Sequence, residues 1–478
     1  MPELLGAIDV GTSTARAGLF SPQGELIAMA RAPLASGSPG PGLVEQDAQA
    51  VWRAAKGALR RVLASAGRTG ADLAAIGVTT QRASAVVWDR RTGRPLSPLV
   101  IWSDLRGVAR AGELREAGFF LAPQQSAAKL ERVLAGIEGA PALAAGGHLA
   151  WGNIDAFLIW KLTGGAVHAT DASQAWPTGY LDVVNGAWNG ALIAHQGLDE
   201  AMFPRLVDTF GPIGLTARGI VGAAVPIRAD IADQQSALIA HGRGAGVAKV
   251  TYGTSATLDV GTGEAFVYKS PTAPPFVVSR VAGRTEFCLE GMVLSAGSAL
   301  DWLRRTCALG DHRRFEALAA SVPDAGGAAL LPALQGLGAP HGDASRRGEL
   351  IGLTGAVTRG HIARAALEGV AFRVREAVEH VFALADVPFP DVLGVDGGLT
   401  ASETFLQIQA DLLGRPVRRH ACAEATACGA AIAAGLGAGL LTDTDAAAFT
   451  RYDRPFEPSI GTDEADARFA GWRAAVYG

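Results

Sequence analysis

The segment LLGAIDVGTSTARAGLF, residues 4–20, is apolar from Leu4 to Val10, breaks at Gly11-Thr12-Ser13-Thr14 and resumes from Ala15 to Phe20. Two short apolar runs separated by glycine and hydroxyl residues predict two strands joined by a tight turn, with Asp9 near the end of the first. Working outward, residues 21–24 read as a second turn and residues 25–30 as a third strand. Residues 47–66 then carry a helical period with Val51, Leu59 and Val62 among the core positions, and residues 74–80 read as a buried strand. Strands followed by a helix in this order predict an α/β layered domain.

The same pattern returns at Thr251-Tyr252-Gly253-Thr254-Ser255-Ala256-Thr257-Leu258. One Gly-Thr-Ser tripeptide carries nothing in a chain with 61 glycines. Two of them, each at the turn of an expected hairpin near the start of its half, suggest related half-domains. The glycine-rich stretch 242–246 is the natural cut, giving domains 1–242 and 243–478. In the second half, residues 361–384 form the clearest helix, with Ile362, Ala366, Val370, Val374 and Val378 on one face and Arg364, Arg373 and Glu376 on others. A short strand at 392–395 ends at Asp396-Gly397-Gly398, and a helix over 403–413 follows.

Composition narrows the function class. A length of 478 residues predicts two domains, and 49% hydrophobic against 18% charged residues predicts a well-buried globular protein. The net charge of -4, without a basic run, removes the electrostatic footprint of a nucleic-acid binder. Cys288, Cys307, Cys422 and Cys428 lack CxxC spacing, which argues against a zinc site or disulfide framework; Cys422 and Cys428 are expected as small buried side chains. Neither a signal-like N-terminus nor a bilayer-length apolar run is present, so a soluble cytoplasmic protein is expected, with a homodimer as the default assembly. Trp88, Trp160 and Trp302 are expected in the core.

A glycine turn leaves backbone N–H groups free to face phosphate oxygens, and the hydroxyls of Thr12 and Ser13 add donors. An aspartate at the end of the preceding strand, Asp9, suits a magnesium ion or its waters. An ordinary Asp-capped hairpin explains the first turn equally well, but a second such turn at Gly253-Thr254-Ser255 favours a grip on a polyphosphate. Asp396-Gly397-Gly398 would let a nucleoside approach the backbone closely. Asp233, ahead of the helical stretch 234–241, reads on its own as a helix N-cap.

In this order the motifs resemble the FGGY family of carbohydrate kinases along nearly the whole length. The most specific piece is Gly348-Glu-Leu-Ile-Gly352-Leu353, seven residues, then His361-Ile362-Ala-Arg-Ala365-Ala366-Leu367-Glu368, which fits the second family signature. The first signature keeps Ser126 and Lys129 but has Gln124 at a position where the pattern expects another residue. Within the family, Thr79-Thr80-Gln81-Arg82, Ile101-Trp102-Ser103-Asp104, the run from Ile154 to Gly164 and Asp233-Gln234-Gln235 are similar to the glycerol kinases.

The resemblance implies two ribonuclease-H-like (actin/hexokinase-type) α/β domains with an interdomain active-site cleft, closing around substrate. It implies ATP-dependent phosphorylation of a hydroxyl of a small polyol or sugar, with Mg2+. Asp233 would be the general base, and Gln81, Arg82, Trp102, Gln124 and Gln234 would bind the acceptor with it. Asp9 would be the magnesium-associated carboxylate. Thr12, Ser13, Arg16, Gly253 and Thr254 would contact phosphates, and Gly297, Gly398 and Ser402 would line the adenosine site. A non-kinase ATPase or a silent ligand-binding regulator of the same fold is the alternative.

Three pocket positions depart from the glycerol kinase pattern: Ala83 replaces a glutamate, Gln124 a tyrosine and Thr257 a phenylalanine. Loss of one hydroxyl-binding carboxylate costs ~1.5–3 kcal/mol, roughly one to two decades in affinity. Loss of two rings widens the pocket, which suits a four- or five-carbon polyol or ketose with Ser84 or Gln124 on the extra hydroxyls; compensation by neighbours would retain glycerol. Asp301 and Ser402 also replace residues of the nucleotide site, a glutamine and an asparagine.

Overall fold

The computed structural model describes residues 3–478. The opening segment folds as expected: β1 (Leu4–Val10) and β2 (Thr14–Phe20) form an antiparallel hairpin, and β3 (Leu26–Pro33) adds to β2. Every residue of β1 is buried, as a strand covered on both faces requires. Helix α1 (Ala48–Ser65), capped by the Asp47 side chain on Gln49 N, packs Val51, Ala55, Leu59 and Val62 with Ile8, Val10, Ala17 and Leu19 of β1 and β2. The sheet is completed by β4 (Leu73–Thr80), β5 (Phe210–Leu215) and β6 (Pro226–Ala232), in the order β5-β6-β4-β1-β2-β3. β1 runs parallel to β4, and β4 parallel to β6. The carboxyl ends of β1, β4 and β6 therefore lie side by side, where open α/β sheets place ligands.

The second Gly-Thr-Ser segment repeats this arrangement. β7 (Ala248–Tyr252) and β8 (Ala256–Gly263) form the hairpin, β9 (Arg284–Val293) pairs antiparallel with β8, and β10 (Leu393–Asp396) and β11 (Val417–Arg419) continue in parallel on the other side of β7. The run β9-β8-β7-β10-β11 matches β3-β2-β1-β4-β6 in order and strand direction, so the two tripeptides occupy equivalent turns. The chain divides into two compact units, the first comprising residues 1–240, 276–285 and 426–449 and the second 241–275, 286–425 and 450–478.

In the second unit the helix expected over 361–384 spans Arg359–Ala385, and its Ala363, Ala366, Val370, Val374 and Val378 lie in the core. Arg373 and Glu376, expected on polar faces, are instead buried as an ion pair that also binds the Tyr477 hydroxyl. Further hydrogen bonds help such a charged pair to be tolerated there, Arg373 donating also to the Ala339 carbonyl. Trp302 departs from expectation too, being 45% exposed, whereas Trp88 is fully buried and Trp160 nearly so. Cys428 is buried and Cys422 half-buried, and none of the four cysteines forms a disulfide. Among the described residues, no helix is long and apolar enough to cross a membrane.

Candidate active site

Asp9 and Arg16 face each other across the β1–β2 hairpin, and this cross-strand register makes their ion pair of 3.0 Å. Asp9 is 2% exposed, so its carboxylate stands below the Gly11–Ser13 turn. Thr12 within that turn is held on three sides. Its hydroxyl donates to Gln81 Oε1 at 3.2 Å and accepts from Trp102 Nε1 at 3.1 Å, while its carbonyl accepts from Gln46 Nε2 at 2.6 Å. Gln81 is 1% exposed and also donates to Gln46 Oε1. The structure thus joins Thr12, expected on phosphates, to Gln81 and Trp102, expected on the acceptor. Ser13 is exposed at the tip of the turn.

A second cluster forms where β4 and β6 end. Arg82 follows the last strand residues of β4, and Asp233 opens helix α2 (Asp233–His241) directly after β6. Arg82 Nε lies 3.7 Å from Asp233 Oδ1, and its Nη1 lies 3.4 Å from Gln235 Oε1. Asp233 Oδ1 also accepts from Gln234 N at 2.9 Å, at the start of the helix. Asp233 and Gln234 are half-buried. Gln124 is exposed in the loop before Ser126.

Residues with no apparent role in the sequence set these two strand ends. Asp171 caps the short helix Ala172–Ala175 by accepting from Ser173 N and Gln174 N, both at 2.9 Å. The Gln174 amide then donates to Thr80 O at 3.1 Å, Thr80 Oγ1 at 2.9 Å and Ile231 O at 3.2 Å, bridging β4 and β6 two residues before Arg82 and Asp233. Ser173 Oγ accepts from Ala232 N at 2.8 Å. All these groups are buried, so the bonds are undiluted by water. A Thr-Asp-x-Ser-Gln run signals a capped turn in sequence, but nothing in it shows which strands the glutamine reaches.

The first-signature residues prove to be scaffolding. Lys129 is fully buried, donates from Nζ to the carbonyls of Ile101 at 2.9 Å and Trp102 at 3.2 Å, and is pushed by burial down to about 7. Ser126 donates to the Ser84 carbonyl at 2.8 Å. Ser84 itself is wholly buried and accepts from Ile154 N, so it is not available for an acceptor hydroxyl, contrary to the expectation from sequence.

In the second unit, the Gly253–Ser255 turn meets the start of helix α3 (Gly297–Thr306). Gly297 N donates to the Gly253 carbonyl at 3.1 Å, and Ser298 N and Oγ both reach the Thr254 carbonyl at 3.0 Å. A Cβ at Gly297 would lie 2.5 Å from the Gly253 oxygen, so only glycine permits this approach. Asp396 ends β10 opposite Thr251 and accepts from His241 Nε2 at 3.0 Å. Burial alone would raise Asp396; the His241 bond and the Lys249 charge override it and hold the carboxyl below its ordinary range. Gly398 is exposed beyond that strand end. Ser402 caps the helix Glu403–Leu413, accepting from Phe405 N at 3.1 Å and donating to Glu316 at 2.9 Å. Asp301 is engaged with Arg304 at 3.2 Å and His312 at 3.5 Å.

Among the described residues, no group of three or more histidine, cysteine, aspartate or glutamate side chains is placed to hold a metal ion. A single strand-end carboxylate, Asp9, fits a magnesium ion that takes its remaining ligands from water and phosphate oxygens.

Comparison with known proteins accords with this geometry. Residues 4–240 match the N-terminal domain, and residues 248–438 the C-terminal domain, of the FGGY family of carbohydrate kinases. A glycerol kinase of Thermus brockianus is 40% identical over 481 residues, covering 98% of this chain and 97% of that protein. The crystal structure of Plasmodium falciparum glycerol kinase with ADP superposes with a TM-score of 0.89 at 24% identity, covering 98% of this chain and 97% of that one. A xylulose kinase from Rhodospirillum rubrum gives 0.81 at 26% identity, with 98% of each chain covered. With both halves matched in order and a relative of such identity over nearly its full length, the chain belongs to the FGGY family of carbohydrate kinases.

Proposed function

We propose that the chain is an ATP-dependent phosphotransferase acting on a hydroxyl of glycerol or of a four- to five-carbon polyol or ketose. The observation that carries this reading is the Arg82–Asp233 pair at the adjacent ends of two parallel strands, half-open to solvent and fixed from beneath by Gln174. A carboxylate beside a cation remains ionised and can accept a proton, while the guanidinium edge donates to hydroxyl oxygens.

In this mechanism Arg82, Trp102 and Gln234 orient the acceptor, with Gln124 at the rim. Asp233 takes the proton from the attacking hydroxyl as the new O–P bond forms and the bond from the γ-phosphorus of ATP to its bridging oxygen breaks, with ADP leaving. Gln81 acts from beneath by fixing Thr12. Thr12, Ser13 and Arg16 from the first unit, and Gly253 and Thr254 from the second, bind phosphate oxygens; Gly297, Gly398 and Ser402 line the adenosine. Asp9 would hold Mg2+, whose charge offsets that of the transferring phosphoryl group. We assign acceptor, base and first phosphate turn to residues 1–242, and second phosphate turn and adenosine to 243–478. A cytoplasmic location is part of this proposal, since the reaction consumes ATP.

The test is acceptor-dependent ADP release with Mg-ATP across glycerol, tetritols, pentitols, ketopentoses and hexoses. A response to one of the shorter acceptors is expected. An Asp233→Asn variant should retain ATP binding while turnover falls ~10²–10⁴-fold, the range a general base supplies. Undiminished turnover in that variant would remove Asp233 from the mechanism. A flat panel with ATP still bound would point instead to an ATPase or regulator of this fold.

A further inference from the structure

Phe276 is the second residue of the strand Pro275–Val281, in the half of the chain that carries the second Gly-Thr-Ser turn, yet residues 276–285 belong to the first compact unit. Its ring covers the flat face of the Arg82 guanidinium, with Cζ 4.4 Å from the ring centroid. The separation of 3.7 Å between Arg82 and Asp233, and of 3.4 Å to Gln235, exceeds that of a well-formed hydrogen bond. The ring adds a constraint of a different kind, against rotation of the guanidinium out of its plane, because a cation is drawn to the negative face of an aromatic ring. A guanidinium stacked on one face keeps its N–H groups directed around its edge, which suits recognition of vicinal hydroxyls.

We propose that Phe276 is a positioning residue for the acceptor, holding the Arg82 plane so that its edge meets the acceptor hydroxyls. This assignment rests on the kinase reading above. Its effect should fall on acceptor affinity and not on ATP, since the ring contacts Arg82, a group proposed to bind the acceptor.

The experiment is steady-state ADP release by the full chain with the best acceptor of the panel, varying acceptor and ATP separately. Phe276→Ala is expected to raise the acceptor KM about tenfold, within the range of a desolvated cation–ring contact, with the ATP KM unchanged. Phe276→Tyr keeps the ring face and should behave as wild type. Phe276→Leu keeps apolar bulk without the ring and should resemble the alanine variant. A leucine variant equal to wild type, or a parallel rise in the ATP KM, would overturn the assignment and leave the kinase reading standing. A wild type without acceptor-dependent ADP release would overturn both.

Discussion

Ala83 has a φ of +52° while only 7% exposed, a conformation that a non-glycine residue adopts at a cost of order 1–3 kcal/mol. The strain falls immediately after Arg82, between the β4 end and Ser84, whose side chain and carbonyl are both bonded to neighbouring segments. The backbone is thus forced into a shape that turns position 83 away from ordinary strand geometry. By the resemblance to the glycerol kinases, a glutamate is expected at this position. Restoring it with Ala83→Glu should add a hydroxyl-accepting carboxylate worth ~1.5–3 kcal/mol, lowering the KM for glycerol by roughly one to two decades while disfavouring a five-carbon ketose. Parallel kinetics on the two acceptors check this, and an unchanged glycerol KM would show that the pocket recognises its acceptor through other groups. At this scale sequence was a partial guide. Asp9, Thr12, Arg82 and Asp233 were marked by motif, and the structure gathers them at neighbouring strand ends. Ser84 was misjudged because burial of a serine between two backbone groups leaves no trace in its neighbours, and Phe276 was missed because its partner lies far away in sequence.

Among the elements, the hairpins, α1 and the long helix Arg359–Ala385 were legible, since periodicity 2 or 3.6 records a buried face directly. Contacts between elements were not. The helix Ala425–Gly437 provides the clearest case, because its residues from 426 onward join the first unit. Gly429 lies so close to helix α2 that a Cβ would overlap the Ser236 carbonyl, and the Ser236 hydroxyl donates to the Thr426 carbonyl at 2.7 Å. Gly77 of β4 is likewise pressed against Ala430. These glycines have no positive φ to betray them; their need arises from backbone approach alone. Gly429→Ala should push the helix carrying Asp233, destabilising the fold by about 1–3 kcal/mol and lowering kcat tenfold or more through misplacement of the base. Gly471, in the helix Thr462–Tyr477 with open space around it, is the control: its alanine variant should be stabilised by ~0.5–1 kcal/mol with kcat unaltered. Urea unfolding and turnover measured on both variants decide the matter, and equal stability of the two would show that the helices can separate freely.

For the molecule as a whole, three buried carboxyls tie stability to pH. Asp155, Asp171 and Asp230 are buried together beneath the Gln174 bridge, with Asp155 accepting from Thr170 at 2.6 Å and Asp171 accepting from Thr209 at 2.7 Å. Burial pushes Asp155 up to about 6 and Asp171 up to about 7, and it raises Asp230 well above the ordinary carboxylate range, with the two neighbouring carboxylates adding to the effect. Oδ1 of Asp155 and Oδ1 of Asp230 meet no protein donor, a gap that a proton shared between these two carboxyls fills. The folded chain then binds more protons near neutrality than the unfolded chain, whose aspartates titrate near 3.9. The stability these groups contribute is complete below that value and is lost as pH rises through about 6 and then about 7. Each proton released changes the unfolding free energy by ~1.4 kcal/mol per pH unit. Urea unfolding should therefore show the stability contributed by these carboxyls falling as pH rises from about 4 to about 7. Asp230→Asn, which keeps a donor toward Asp155 without a titrating proton, should flatten that fall and be the more stable protein at the alkaline end. A wild-type profile level over the interval would mean that the three carboxyls ionise without penalty. Water would then have to reach the floor beneath Arg82 and Asp233, contrary to the dry hydrogen-bonded support that fixes their spacing.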